Sequence, residues 1–235
     1  MKRTMQMHSA FKPLVAAAVG GWLAMSVATA SAQMTPQTAD MSVTGTIVPA
    51  ACSANFTGGG TVDFGTIRLI DLPANAYYSL GDRNTALNVI CNANKRVNFS
   101  VQDMQSASRI VGTAMQTAVS VNSDQYIFGL GATTVNSVPV NIGGYSLTVS
   151  ALKVDNASRA AIYSLNNGSS WNAGAAYLSF NDSVLVTAGN GTTPVAGAEF
   201  NFPLKVTAAL NYGSRLQVAQ DTPLNGQAVF SIRYQ

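Results

Sequence analysis

The stretch EFNFPLKVTAALN, residues 199–211, decides how the rest of the chain is read. Phe200, Phe202, Leu204, Val206, Ala208 and Leu210 share one phase of a two-residue period, and Asn201, Lys205 and Thr207 share the other. Side chains alternate across a β-strand, so the pattern places one face in a core and the other toward polar surroundings. Pro203 has no N–H to give to a ladder, which predicts that the strand lies at a sheet edge or carries a bulge there.

Working outward, the same period recurs. YSLTVSALKV alternates at Tyr145, Leu147, Val149 and Ala151, and ALNVICNANKRVNFSVQD holds two strands around an Asn-rich turn. TVDFGTI puts Val62 and Phe64 on one face, with Gly65 breaking the run, and SVTGTIVPAAC carries β-branched residues up to Pro49. At the far end, GQAVFSIRYQ sets Ala228, Phe230, Ile232 and Tyr234 against Val229, Ser231, Arg233 and Gln235, a half-buried strand running to the last residue. Chain ends usually fray, so something is expected to hold this one. Between Met104 and Pro139 only QYIFGL reads as a strand, and NNGSSWNAG, residues 166–174, reads as an exposed loop.

No fixed-period repeat and no long helical period is present. Many short antiparallel strands separated by turns predict an all-β fold, an antiparallel β-sandwich. Composition points the same way: the chain is rich in Val, Thr, Ala, Asn, Ser and Gly, and Glu199 is its only glutamate. Helices draw on Glu, Lys and Leu, strands on β-branched residues.

Residues 1–32 open on Lys2, Arg3 and Lys12, continue through the apolar run LVAAAVGGWLAMSVATA and close on the small residues ASA, the order of parts of a secretory signal peptide. The exported chain is then expected to begin near Gln33. The whole excess of +3 and the only histidine, His8, lie inside that leader, so the remainder is formally neutral. Its basic residues are scattered singly, and nucleic-acid binding is not expected. About 200 residues remain, enough for one sizeable core.

Export places Cys52 and Cys91 outside the reducing cytosol, and a disulfide between them is expected. Closing that loop stabilises by about 4 kcal/mol in the chain-entropy treatment. The alternative, two free thiols or a metal pair, lacks the histidine or further cysteine that would complete a site.

Enzymatic chemistry finds little to work with. Nucleophilic triads, metal hydrolysis and most acid–base catalysis use His, a Cys thiolate or closely placed carboxylates, and no such motif or phosphate-cradling glycine loop appears. No catalytic activity and no cofactor or metal are expected, although a paired-aspartate glycosidase stays open because residues distant in sequence meet in space. Asp63, Asp71 and Asp82 do not have calcium-loop spacing and read as solvated surface. Trp171 lies in a polar loop with Tyr163 and Tyr177 nearby in sequence; such a ring either stacks on a sugar or packs. The Asn-x-Ser/Thr triplets at Asn98, Asn156, Asn167 and Asn190 read as products of a turn-rich composition.

Taken in order, GTIVPAAC, VDFGTI, LNVICNANKRVNFSVQD and the alternating C-terminus with its penultimate Tyr234 resemble chaperone-usher pilus (fimbrial) subunits, as a divergent pilin-like branch. The cysteines add to the likeness, one on the first strand and one near the start of a later strand. The resemblance implies residues 1–32 as leader, 33–41 as an N-terminal extension, and 42–235 as a single immunoglobulin-like sandwich that lacks its last strand. A hydrophobic groove would then lie beside the C-terminal strand. A periplasmic pilus chaperone fills it by strand addition against Phe230, Ile232 and Tyr234 and anchors the Gln235 carboxylate. An outer-membrane usher assembles neighbouring subunits into a cell-surface fimbria, where a host receptor is a further partner.

In such a fibre the extension of the next subunit replaces the chaperone strand. Here QMTPQTADMSV offers Ala39, Met41 and Val43 in one phase and Met34 with Pro36 in the other. These anchors are smaller than those of a strong donor strand, and Pro36 removes a ladder donor. The competing expectation is a self-contained secreted or periplasmic β-sandwich that binds a ligand such as a carbohydrate.

Overall fold

The computed structural model describes residues 51–174 and 176–234. The expected leader, the extension with Met34, Ala39, Met41 and Val43, and the Gln235 carboxylate lie outside the described residues. In chain order the elements are β1 (Cys52–Phe56), β2 (Tyr78–Lys95), β3 (Val97–Asp103), α1 (Thr113–Ala118), β4 (Phe128–Gly129), β5 (Ala132–Val135), β6 (Val138–Asn141), β7 (Gly143–Val149) and β8 (Leu152–Val154). There follow β9 (Ala157–Ser164), β10 (Asn172–Ala173), β11 (Ala176–Tyr177), β12 (Leu185–Asn190), β13 (Thr193–Pro194), β14 (Gly197–Leu210) and β15 (Ala228–Tyr234).

The fold is all-β and antiparallel, as the periodicity predicts. Strands follow one another in the order β1-β2-β14-β8-β9-β12-β3-β15, and the β8–β9 hairpin carries the path from one layer of the sandwich to the other. The first layer is β1, β2, β14 and β7; the second is β9, β12, β3 and β15. Between them sit Leu87 and Val89 of β2, Phe202 and Leu204 of β14, Val97, Phe99 and Val101 of β3, and Val186 of β12, all essentially solvent-free. Phe99 and Phe202 meet edge to face across the layers, with centroids 5.0 Å apart. Burial of this apolar face is the main favourable term for the domain.

β14 alternates as read, with Phe200, Phe202, Leu204, Val206, Ala208 and Leu210 all buried. Its position differs from the expectation drawn from Pro203. β14 is a central strand, paired with β2 on one side and with β8 then β7 on the other. Its register shifts fall between Gly197 and Glu199 and between Ala208 and Ala209, away from the proline. Pro203 sits where the second neighbour changes: β8 pairs Phe200 and Asn201, β7 pairs Leu204 onward, and neither ladder pairs Pro203 itself.

Other expectations also change. β2 begins at Tyr78, so Cys91 lies near the end of a long strand rather than near its start. It is bonded to Cys52, directly opposite in the β1–β2 register. TVDFGTI forms no strand: the Asp63 carboxylate takes the Gly65 N–H at 2.7 Å and Gly65 adopts φ 74°, turning the chain out of any ladder. QYIFGL contributes only the two residues of β4. Ala151 is exposed in the β7–β8 turn rather than sharing the face of Tyr145, Leu147 and Val149. Asn156 and Asn167 occupy left-handed turn positions, φ 65° and 55°, as turn residues do.

The region from Met104 to Tyr126 is a cap rather than a set of strands. Met115 and Val119 bury against Ile127 and Ala209 in a small second cluster. Arg109 ties the cap down: its Nε donates to the Ile127 carbonyl at 2.6 Å, its Nη2 to the Asp124 carbonyl, and its guanidinium lies 3.4 Å from the Phe180 ring centroid.

Candidate strand-accepting groove

The path of paired strands has two ends, β1 and β15, and among the described residues each is paired on one side only. These ends meet. Phe56 of β1 and Phe230 of β15 are in edge contact at 4.9 Å, and Phe230 also touches Phe99 in the core. Among the described residues the barrel-like path is therefore open along one seam, and that seam is apolar.

A cavity of about 440 Å³ lies in the seam. Its floor is the inner face of the first layer: Tyr145, Leu147, Leu204 and Val206. One wall is β15, through Ala228 and Phe230; the other is the extended segment at Val62 and Phe64. A second cavity of about 720 Å³ continues from Gly65 and Leu224 past Ile67, Ile142 and Leu216. Together they form a groove with an apolar floor, and among the described residues no further strand pairs with either wall.

β15 is positioned by its register on β3, where Phe230 faces Val101, Ile232 faces Phe99 and Tyr234 faces Val97. Opposed residues share a face, so Ala228, Phe230 and Ile232 point inward, as the alternation predicts. They are half-buried rather than buried, and among the described residues β3 is the one strand paired with β15. Tyr234 has left the core and is 42% exposed. The wall opposite is held from outside: the Arg83 guanidinium lies 5.1 Å from the Phe64 ring, and its Nε donates to the Asp63 carbonyl at 3.3 Å.

A buried carboxylate lies on β3 opposite Ala228 of the β15 wall. Asp103, at the end of β3, is 2% exposed and accepts N–H groups from Gln105 at 2.8 Å and Gly129 at 2.9 Å. Burial pushes its pKa up, opposed by those two N–H donors and the Arg109 charge. Burial, with the Asp103 charge nearby, also pushes the Tyr145 phenol up, so it stays neutral at the groove floor.

Of the residues that the sequence singled out on the last strand, Phe230 lines the cavity and Ile232 and Tyr234 do not, and the residues opposite were not singled out. Phe56, Leu130, Tyr145 and Leu224 carried no functional signal, and Val62 with Phe64 read as a strand rather than a groove wall. Their alternation was the one usable sign. Asp63, Asp71 and Asp82 are not brought together: Asp63 caps Gly65, Asp71 pairs with Arg68 at 2.9 Å, and Asp82 accepts from Thr207 at 2.6 Å. Tyr177 stacks on Tyr126, centroids 5.2 Å apart, leaving Trp171 in a different environment.

Comparison with known proteins gives a consistent but functionally silent picture. The sequence model of the family described as "Protein of unknown function (DUF1120)" matches residues 41–146, a range that includes β1, β2, β3 and one wall of the groove. "Protein GltF" of Escherichia coli (strain K12) is 26% identical over 246 aligned positions, covering 90% of this chain and 94% of that protein. "Uncharacterized protein YhcF" of the same strain is 27% identical over 227 positions, covering 86% and 93%. The chain is thus similar to the DUF1120 family over residues 41–146 and to two Escherichia coli proteins across nearly its whole length.

Proposed function

We propose that this protein is a structural subunit of a surface fimbria, assembled by strand donation through a chaperone-usher pathway and contributing to adhesion. The observation that carries the reading is the open seam: among the described residues β15 has β3 as its one ladder partner, and it walls an apolar groove with the Val62–Phe64 segment opposite. A strand laid there closes the sandwich. Main-chain bonds to β15 give it affinity, and side chains at alternate positions, set over Tyr145, Leu147 and Leu204, give it register. Each well-buried anchor stabilises by about 1.5–3 kcal/mol.

The resemblance to pilus subunits supplies the occupants in order. A periplasmic chaperone lends its strand first, the usher exchanges it, and the segment QMTPQTADMSV of a neighbouring subunit takes its place at the cell surface. The Gln235 carboxylate, next to Tyr234, is the anchor for the chaperone's basic residues. An exposed sheet edge invites uncontrolled pairing, and a dedicated chaperone is the physical answer to it.

The test is thermal unfolding of a chain beginning at Ser42, alone and with excess peptide spanning Gln33 to Val43, against a scrambled peptide. A ligand that binds only the folded state at about 100 times its dissociation constant stabilises by about 2.7 kcal/mol. The specific peptide is expected to raise the midpoint and the scrambled one to leave it unchanged. A truncated chain that is already stable and indifferent to the peptide would sink donation by this segment and favour the self-contained binding domain.

A further inference from the structure

On the outer face of the second layer, opposite the groove, lies a polar pocket of about 640 Å³. Its floor is a ladder across three strands: Thr187 of β12 faces Asn98 of β3, which faces Arg233 of β15. Arg96, in the turn between β2 and β3, lines one side, and Trp171 lines the other. Three features distinguish it from ordinary surface.

The Trp171 loop is pre-organised. The Ser164 hydroxyl accepts the Gly168 N–H at 2.8 Å and donates to the Asn166 side-chain oxygen at 2.9 Å; that oxygen also accepts the Ser170 N–H at 2.9 Å, and the Asn166 amide donates to the Ser170 hydroxyl at 2.8 Å. Gly168, at φ 85°, brings the backbone close beneath the indole, where a Cβ would stand 3.7 Å from the Trp171 ring. A loop so tied holds a half-exposed indole in one orientation, which cuts the entropy lost on binding.

The Asn98 side-chain oxygen is buried and has no hydrogen-bond partner among the described residues. Native structures rarely leave such a group unmatched, and because Asn98 lines the pocket its amide has only to turn outward to meet a ligand hydroxyl. The charge is also unbalanced. Arg233 reaches Asp182 at 3.4 Å, while Arg96 has no carboxylate within ion-pair distance among the described residues, so the pocket wall is net cationic.

We propose that this pocket binds a carboxylate-bearing pyranose, an acidic saccharide residue. The C–H face of the ring stacks on Trp171, a ring hydroxyl donates to Asn98, and the carboxylate meets the guanidinium groups of Arg96 and Arg233 with the directed double bonds that such pairs form. The site draws on the outward residues of β15 and the groove on the inward ones, so the two stand or fall separately.

The chain offers its own probe, because its only tryptophans are Trp22 and Trp171, and Trp22 lies in the expected leader. In the chain from Gln33, or in the full chain carrying Trp22→Phe, indole fluorescence reports the pocket alone. Titration with sialyllactose and with a glucuronate-terminated trisaccharide separates the two sources of the carboxylate, with lactose as the neutral control. At least one acidic sugar is expected to give a saturable change, with lactose at least about tenfold weaker. Arg96→Gln, in an exposed turn, is expected to weaken binding by about tenfold with an unchanged unfolding midpoint, and Trp171→Ala to abolish the heat of binding in calorimetry. Saturation by neither acidic sugar, equal binding of lactose, or equal binding by Arg96→Gln overturns the proposal.

Discussion

At the scale of single residues, two aspartates on either side of Arg109 oppose each other in their dependence on pH. Asp103 is buried, and its raised pKa means that the folded chain holds this proton more firmly than the unfolded chain does. As pH rises from the ordinary carboxylate pKa toward the raised one, the unfolded chain releases its proton first, so this group's contribution falls with rising pH. Asp124 runs the other way. Hydrogen bonds from the Gln116 side chain and the Gly112 N–H, both at 2.8 Å, hold its carboxyl below the usual range, and the stability it confers is lost as pH falls through that lowered value. Asp103→Asn is expected to remove the first dependence while leaving one N–H of Gln105 or Gly129 without an acceptor, a cost of about 1–3 kcal/mol. Asp124→Asn should flatten the acid limb instead. Urea midpoints across the acid range check both, and identical pH profiles for the two variants would show that the assignment is wrong.

At the scale of elements, β15 is the piece whose two faces do different work. Phe230 is half-buried and bridges Phe56 to Phe99 across the seam. Phe230→Ala is expected to cost about 2 kcal/mol, less than the 3–5 of a fully buried phenylalanine, and to weaken uptake of the Gln33–Val43 peptide. Val229 points out of the same strand and is 46% exposed, so Val229→Ala should stay within about 0.5 kcal/mol. Chemical denaturation with and without peptide reads the contrast. If the two substitutions affect peptide uptake equally, the groove does not lie on the inward face.

At the scale of the whole molecule, the disulfide clasps one free end of the strand path. β1 is only five residues long and has β2 as its one neighbour among the described residues. Replacing Cys52 and Cys91 by Ser is expected to cost about 2–4 kcal/mol and to quicken amide exchange in β1 far more than in β14, which is paired on both sides. Uniform acceleration across both strands would mean that the bond acts through the unfolded chain alone.

The same scale shows what was legible in the sequence. Alternation at Phe200–Leu210 and Ala228–Tyr234, two cysteines behind a leader-like segment, and a composition poor in helix formers were enough for an antiparallel sandwich with a half-covered last strand, because side-chain period and burial are local consequences of the chain's own order. What the sequence could not supply is which strand stands beside which. Pro203 read as an edge residue, yet it lies in a central strand at the one step where the neighbour on one side changes from β8 to β7. Val62 and Phe64 read as a strand, yet among the described residues they belong to no ladder and form the wall of a groove whose floor comes from residues far along the chain. The pocket of Arg96 and Asn98, Trp171 and Arg233 joins three segments that no spacing relates. Such sites are set by ladder register and layer packing, which bring together residues whose separation along the chain carries no information about their separation in space.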